Sequence, residues 1–219
     1  MISNAHNPSG ALTPPEVLAQ IGEIAASAGA IVVVDEVYAE AQHTDSPPPA
    51  PAATLGEVFV STNSLTKAYG LAGLRCGWVL ASPSISERIR IARDVVDGSG
   101  PFVTEALAVR AFEKISVLRG RARTILAQNF AALQSMVSSQ PRLEWIAPEA
   151  GTTAFPRILD VRDTTSFVDY LIEKHDAVVV PGHFFQKPDH IRLSFGGEPG
   201  KVAASLEKLD AALRAYPAS

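Results

Sequence analysis

Lys67 and Arg75 are the only charged side chains between Val58 and Ser86, although 19% of the 219 residues are charged. They lie in "STNSLTKAYGLAGLRCGW", Ser61 to Trp78, among small, hydroxylic and apolar residues. An amine kept away from carboxylates lacks the partners that hold an ammonium, and burial favours the neutral form that attacks carbonyls. A lone lysine is also commonly a surface side chain with a packed stem and a solvated head. The groups that could share its site decide between these readings.

In open α/β sheets ligands sit beyond the carboxyl ends of the strands, so the residues just after each apolar run matter most. Three such places carry chemistry. "NAHNPSG" sets Asn7 in a turn before Pro8 and Gly10; Asp35 ends "IVVV" and is followed by Tyr38; Ser64, Thr66 and Lys67 end and follow "VFVST". Taken singly, these are ordinary turn, cap and packing residues. Taken together, they are an amide, a carboxylate, a phenol and an amine at one sheet edge.

The elements that would hold them follow from periodicity. "LTPPEVLAQIGEIAASAGA" reads as a helix with Thr13 as N-cap, Glu16 completing a capping box, and Gly29 as the stop. Its apolar stripe is Val17, Leu18, Ile21, Ile24 and Ala25. "AIVVVDEVY" then reads as a strand covered on both faces of a parallel sheet. "SPPPAPAA" reads as an exposed connection, and "VFVST" and "CGWVLAS" as further strands. From Ser84 the period turns helical, through "SISERIRIARDVVD", "FVTEALAVRAFEKI" and a long helix from about Val117 to Ser138. Beyond it, strands "GTTAFPRI", "AVVVPG" and "HIRLSFG" alternate with helices "SFVDYLIEK" and "KVAASLEKLDAALRAY". The expected architecture is an α/β unit, residues 1–120, joined by a long helix to a smaller α+β unit, residues 121–219.

Composition narrows the partners. A hydrophobic content of 47% supports a buried core, and a net charge of −4 gives no basic surface for nucleic acid. The longest apolar runs fall far short of the ~20 residues of a membrane span, and "MISNAHNPSG" does not read as a signal peptide. A single cysteine, Cys76, fits a reducing cytoplasm, and the five histidines show no metal-ligand spacing. A small-molecule partner is expected, with no nucleic acid, membrane or metal.

The segment "SLTKAYGLAGLRCG" resembles the pyridoxal-phosphate attachment motif of class I/II (fold-type I) aminotransferases. It has serine, apolar, small and lysine, then glycines three and six on and an arginine eight on. "NPSG", "DEVY" and "HIRLSFG" match that family in its order, so the resemblance runs from about Ser3 to the end. It implies pyridoxal 5′-phosphate as cofactor and amino transfer between an amino acid and a 2-oxo acid through a Lys67 Schiff base. It also implies that Asp35 pairs with the pyridine nitrogen and that Tyr38 and Asn7 bond the ring oxygen. Ser64 and Arg75 would hold the phosphate, Gly70 and Gly73 letting the backbone bring Arg75 to it, and Arg192 would grip the substrate carboxylate bidentately.

The resemblance further implies the C-terminal part of such an enzyme. Family members carry an N-terminal region with several strands, a small-residue phosphate loop and an aromatic that stacks on the ring. The implied fold is an incomplete, mostly parallel large-domain sheet with a C-terminal α+β small domain, and full-length relatives are homodimers. Cys76 stands where the family usually has an aliphatic residue, and "NAH" precedes "NPSG" in place of the commoner "NPN". Three alternatives stay open: a non-catalytic sensing or association domain, a split enzyme completed by another chain, and a decarboxylase or lyase of the same fold.

Overall fold

The computed structural model describes residues 1–217. Its first sheet has the order β1 (Ile2–Ser3), β2 (Val32–Asp35), β3 (Phe59–Ser64), β4 (Gly77–Leu80). The first three strands are parallel, with Ser3 paired to Asp35 and Asp35 to Thr62. β4 returns antiparallel, setting Ser64 opposite Gly77. The sheet is therefore mixed, mostly parallel, and the carboxyl ends of β1, β2 and β3 share one edge. β1 is not among the strands expected from the sequence; two residues are too few for a period to register.

Helix α1 (Pro15–Ser27) precedes β2. Its N-cap is Pro14, with no side-chain cap bond, so neither the Thr13 cap nor the Glu16 capping box forms. The Thr13 amide, the group a capping-box Glu16 would bond, donates instead to Asn4 Oδ1 at 2.8 Å, which ties Thr13 to the first turn of the chain. Gly29 does end the segment, with φ at 63°. Of the expected stripe, Leu18 and Ala25 pack with Val32, Val34, Ala52 and Phe59, while Ile24 is 69% exposed. β2 alternates buried and half-buried residues, so its two faces are unequally covered, contrary to the expectation from its unbroken apolar run. The proline-rich connection also ends inside: the Ala52 amide donates to Glu36 Oε1 at 2.7 Å and the Ala53 amide to Ser61 Oγ at 2.9 Å. Burial pushes the Glu36 carboxyl above its usual range, and the Ala52 amide and the Ser61 hydroxyl, which donates to Oε1 at 2.9 Å, act against that.

Three helices follow: α2 (Pro83–Val96), α3 (Phe102–Glu113) and α4 (Ile115–Ser139), the last continuous for 25 residues. Beyond α4, β5 (Leu143–Glu144) pairs with β7 (Arg157–Ile158), and β9 (Ile191–Ser194) lies between β6 (Thr153–Ala154) and β8 (Val180–Pro181), all antiparallel. Helices α5 (Thr165–His175) and α6 (Pro199–Ala215) complete the layer. The larger core joins Leu65, Ala68 and Tyr69 from the first sheet's loops to Leu133, Phe167, Leu171, Phe195 and Leu213. Burying such side chains stabilises by about 1.5–3 kcal/mol each, which welds the loop after β3 to the C-terminal layer.

Candidate active site

The loop after β3 is a closed turn. The Thr66 amide donates to Ser64 Oγ at 3.2 Å, the Gly70 amide to the Lys67 carbonyl at 3.3 Å, and the Leu71 amide to the Leu65 carbonyl at 2.9 Å. Leu65 and Ala68 point into the core, which turns Lys67 outward. Its Nζ lies 5.8 Å from the centre of the Tyr38 ring, close enough for a cation–π attraction. Among the described residues Lys67 has no carboxylate partner, as its sequence surroundings suggest.

Asp35 ends β2 half-buried, with Oδ1 accepting from the Val37 amide at 3.2 Å. The turn that follows, in which the Ala41 amide donates to the Tyr38 carbonyl at 2.9 Å, presents Tyr38 towards Lys67. The turn reading and the chemical reading of Asp35 and Ser64 are compatible, because each amide occupies one lone pair of an oxygen that has others.

Asn7 and Arg192 meet across 185 residues. Arg192 Nη1 donates to Asn7 Oδ1 at 3.3 Å, and its guanidinium lies 5.2 Å from the centre of the Phe185 ring. The first turn is fixed by Gly10, whose φ of 72° suits glycine and whose amide donates to the His6 carbonyl at 2.7 Å. A Cβ at Gly10 would meet Pro148 Cβ at 2.4 Å, so this turn packs directly on the chain leading to β6. Thr153 Oγ1 donates to the Pro8 carbonyl at 3.2 Å across the same contact.

Arg75 is exposed, has φ at 49°, and lines a hollow of about 700 Å³ with Trp78, Arg90, Arg93 and Asp97. The Leu65 amide donates to the carbonyl of the next residue, Cys76, at 3.0 Å, which sets the Arg75 backbone beside the Lys67 turn. Among the described residues no hydrogen bond or ion pair joins its side chain to Ser64. Of the glycines expected to bring it round, Gly70 has φ at 71°, the left-handed region that suits glycine, whereas Gly73 has open space at its Cβ position and no such backbone demand.

Lys67 also borders a hollow of about 270 Å³ with Tyr69, Arg121, Thr152, Gly197 and Glu198. Sequence reading missed three residues that brace its walls: Tyr69, which lines it, and Asn129 and Glu40, which bond to lining residues. Asn129, 2% exposed in α4, donates from Nδ2 to the Phe195 carbonyl at 2.8 Å and the Gly197 carbonyl at 2.9 Å. Tyr69 donates to Glu40, a contact between residues 29 apart. A buried asparagine in an otherwise periodic helix and a tyrosine two places after the lysine were the available signals.

The donor set fits pyridoxal phosphate. It offers an unpaired amine, a carboxylate with acceptor capacity left, and a phenol, and Asn7 keeps its Nδ2 donors free when Oδ1 serves Arg192. Serine adds a hydroxyl at the same edge.

Comparison with known proteins agrees. The model of aminotransferase class I and II matches residues 1–209. Capreomycidine synthase of Streptomyces vinaceus is 30% identical over 196 residues, covering 89% of this chain and 50% of that protein. The crystal structure of a PLP-dependent aminotransferase from Streptococcus suis superposes with a TM-score of 0.91 at 30% identity, over all of this chain and 57% of that one. That of the PLP-dependent cyclase OrfR gives 0.86 at 30% identity, over 98% and 58%. The chain thus spans about half the length of the relatives it matches. On four ordered motifs, a shared sheet edge and these likenesses, the chain belongs to the class I and II aminotransferase family.

Proposed function

We propose that this chain carries the cofactor lysine and the substrate-carboxylate arginine of a pyridoxal-phosphate-dependent enzyme that moves an amino group between an amino acid and a 2-oxo acid. The observation that carries the reading is Lys67 Nζ, unpaired and over the Tyr38 ring, at the strand edge where Asp35 ends β2. When bound, the cofactor supplies an aldehyde that captures amines and a protonated ring that takes up the electron pair left at the substrate α-carbon.

The residues divide the rest. Lys67 Nζ holds the cofactor and, once released, removes and returns the α-carbon proton as a general base. The Asp35 carboxylate accepts the ring N–H and keeps it protonated. Tyr38 Oη and Asn7 Nδ2 donate to the ring oxygen, and Ser64 and Arg75 bind the phosphate. Arg192 takes the substrate carboxylate; Asn7 Oδ1 and the Phe185 ring orient its guanidinium. In this reading residues 1–120 are the C-terminal half of the cofactor-binding domain, and 121–219 the small domain. The complete enzyme is a cytoplasmic homodimer.

The test is optical. The purified chain with pyridoxal phosphate is expected to show a visible absorbance band that Lys67→Ala abolishes; no band, or one unchanged in the variant, sinks the reading. A second reading has specific support in two 30%-identical relatives, one named a synthase and the other a cyclase. It takes the same residues to serve an α-carbon deprotonation that ends in elimination or ring closure. Incubation with amino acids and 2-oxo acids separates the two, since only amino transfer makes a new amino acid from the oxo acid.

A further inference from the structure

Glu40, Tyr69 and Arg119 form a polar knot behind Lys67 to which the chemistry above assigns nothing. The Tyr69 hydroxyl donates to Glu40 Oε2. Arg119 of α4 reaches the same oxygen from Nε at 2.8 Å and Nη2 at 2.6 Å. Tyr69 is 6% exposed and belongs to the main core. Burial first, then the Glu40 carboxylate, holds its phenol protonated well beyond the ordinary tyrosine range, so it stays a donor.

The knot ties together the two turns that carry the candidate chemistry. Glu40 stands two residues after Tyr38 in a turn closed by Ala39 and Ala41 amides, bonded at 2.9 Å to the Glu36 and Tyr38 carbonyls. Tyr69 stands two residues after Lys67, separated by buried Ala68. Short closed turns move as units, so a bond between Glu40 and Tyr69 also limits the distance between Tyr38 and Lys67. Arg119 anchors the pair to a 25-residue helix, which does not follow local loop motion. A charge-assisted bond from a buried donor is stronger than a neutral surface one, so this tie outlasts the weaker amine–ring contact it supports.

We propose that Glu40 and Tyr69 are positioning residues that hold the Lys67 amine against the Tyr38 ring. The inference rests on the functional reading of Lys67, but its measurement needs no cofactor. The chain is acetylated with limiting acetic anhydride, and labelling of Lys67 relative to exposed Lys174 and Lys201 is read by mass spectrometry. Tyr69→Phe keeps the ring in the core and removes the donor; Glu40→Ala removes the acceptor. Both are expected to raise relative Lys67 labelling about two- to fivefold, the factor corresponding to loss of an exposed cation–π contact. Glu40→Gln, whose amide oxygen still accepts from Tyr69, should restore part of the protection. Tyr170→Phe, the same change far from the knot, should alter nothing.

Unchanged Lys67 labelling in folded Tyr69→Phe or Glu40→Ala overturns the proposal. So does an equal rise at all lysines, the mark of general loosening. Should Tyr69→Phe fail to fold, Glu40→Ala carries the comparison, because Glu40 lies outside the apolar core. The two readings fail separately: a missing visible band with the labelling pattern intact removes the cofactor role and leaves the positioning role, and the converse holds.

Discussion

Helices α3 and α5 carry comparable sets of large apolar side chains and treat them in opposite ways. In α5, Phe167 and Leu171 are fully buried and Val168 is 6% exposed. In α3, Phe102, Val103, Leu107, Val109 and Phe112 are all exposed, and only Ala108 is buried. The neighbouring α2 buries nothing and leaves Val95 and Val96 more than four-fifths exposed. Periodicity shows which residues share a face, whereas burial depends on whether another element covers that face. α5 has α6 and β8 over it; α3 meets α4 and the turn at Ala72–Leu74, with Phe112 edge-on to Trp78 at 5.2 Å between ring centres, and these contacts leave its large apolar side chains uncovered.

The contrast can be broken at its strong end. Phe167→Ala is expected to cost about 3–5 kcal/mol in urea unfolding, because it opens a cavity in a packed core. A loss below about 1 kcal/mol would mean that the α5 layer collapses around the hole and is no better specified than α3.

An intermediate test lies at His43, inside the same core. Its ring stacks on Phe130 at 3.9 Å, its Nδ1 has no hydrogen-bond partner, and burial lowers its pKa from 6.5. The unfolded chain therefore binds the proton first, so stability rises with pH between the lowered folded value and about 6.5 and falls as the solution is acidified through that window. His43→Phe keeps an aromatic ring and removes the titrating group. Wild type should lose stability relative to this variant between pH 7 and pH 5; parallel pH profiles would show that the core admits the charge.

At the weak end, Phe102→Ala and Val96→Ala are expected to change stability by no more than about 0.5 kcal/mol, the usual range for surface positions. Larger losses that grow with protein concentration would show that this face is covered in solution, and the contrast between α3 and α5 would then belong to the isolated chain only.

Much of the architecture was legible because long periodic segments identify themselves. All six helices and the strands containing Val34, Val60, Val79 and Leu193 follow from period, as does the meeting of Asp35 and Ser64 at one sheet edge. The single strand expected for "GTTAFPRI" is split into β6 and β7, which join different sheets, and β5 is too short for a period and is defined by its partner. Thr13 shows how a local rule loses: the helix starts one residue later, at a Pro14 cap, and the Thr13 amide that Glu16 would bond is taken by Asn4. Residue type and motif single out Lys67, Tyr38, Asn7 and Arg192, which the structure brings into two pairs. Their pairings, and the Glu40–Tyr69–Arg119 knot, depend on contacts across 29 to 185 residues that no local pattern encodes.

Helix α4 holds the site from two points. Arg119 grips the Glu40 side, next to Lys67, and ten residues further along Asn129 grips the carbonyls of Phe195 and Gly197, just past Arg192. At ~1.5 Å per residue these grips lie about 15 Å apart along a rod that scarcely stretches. The helix thus acts as a gauge block: the span between the Lys67 amine and the Arg192 guanidinium is set by a count of peptide units, and insertion or deletion of one residue between the grips would also rotate them by about 100° relative to each other.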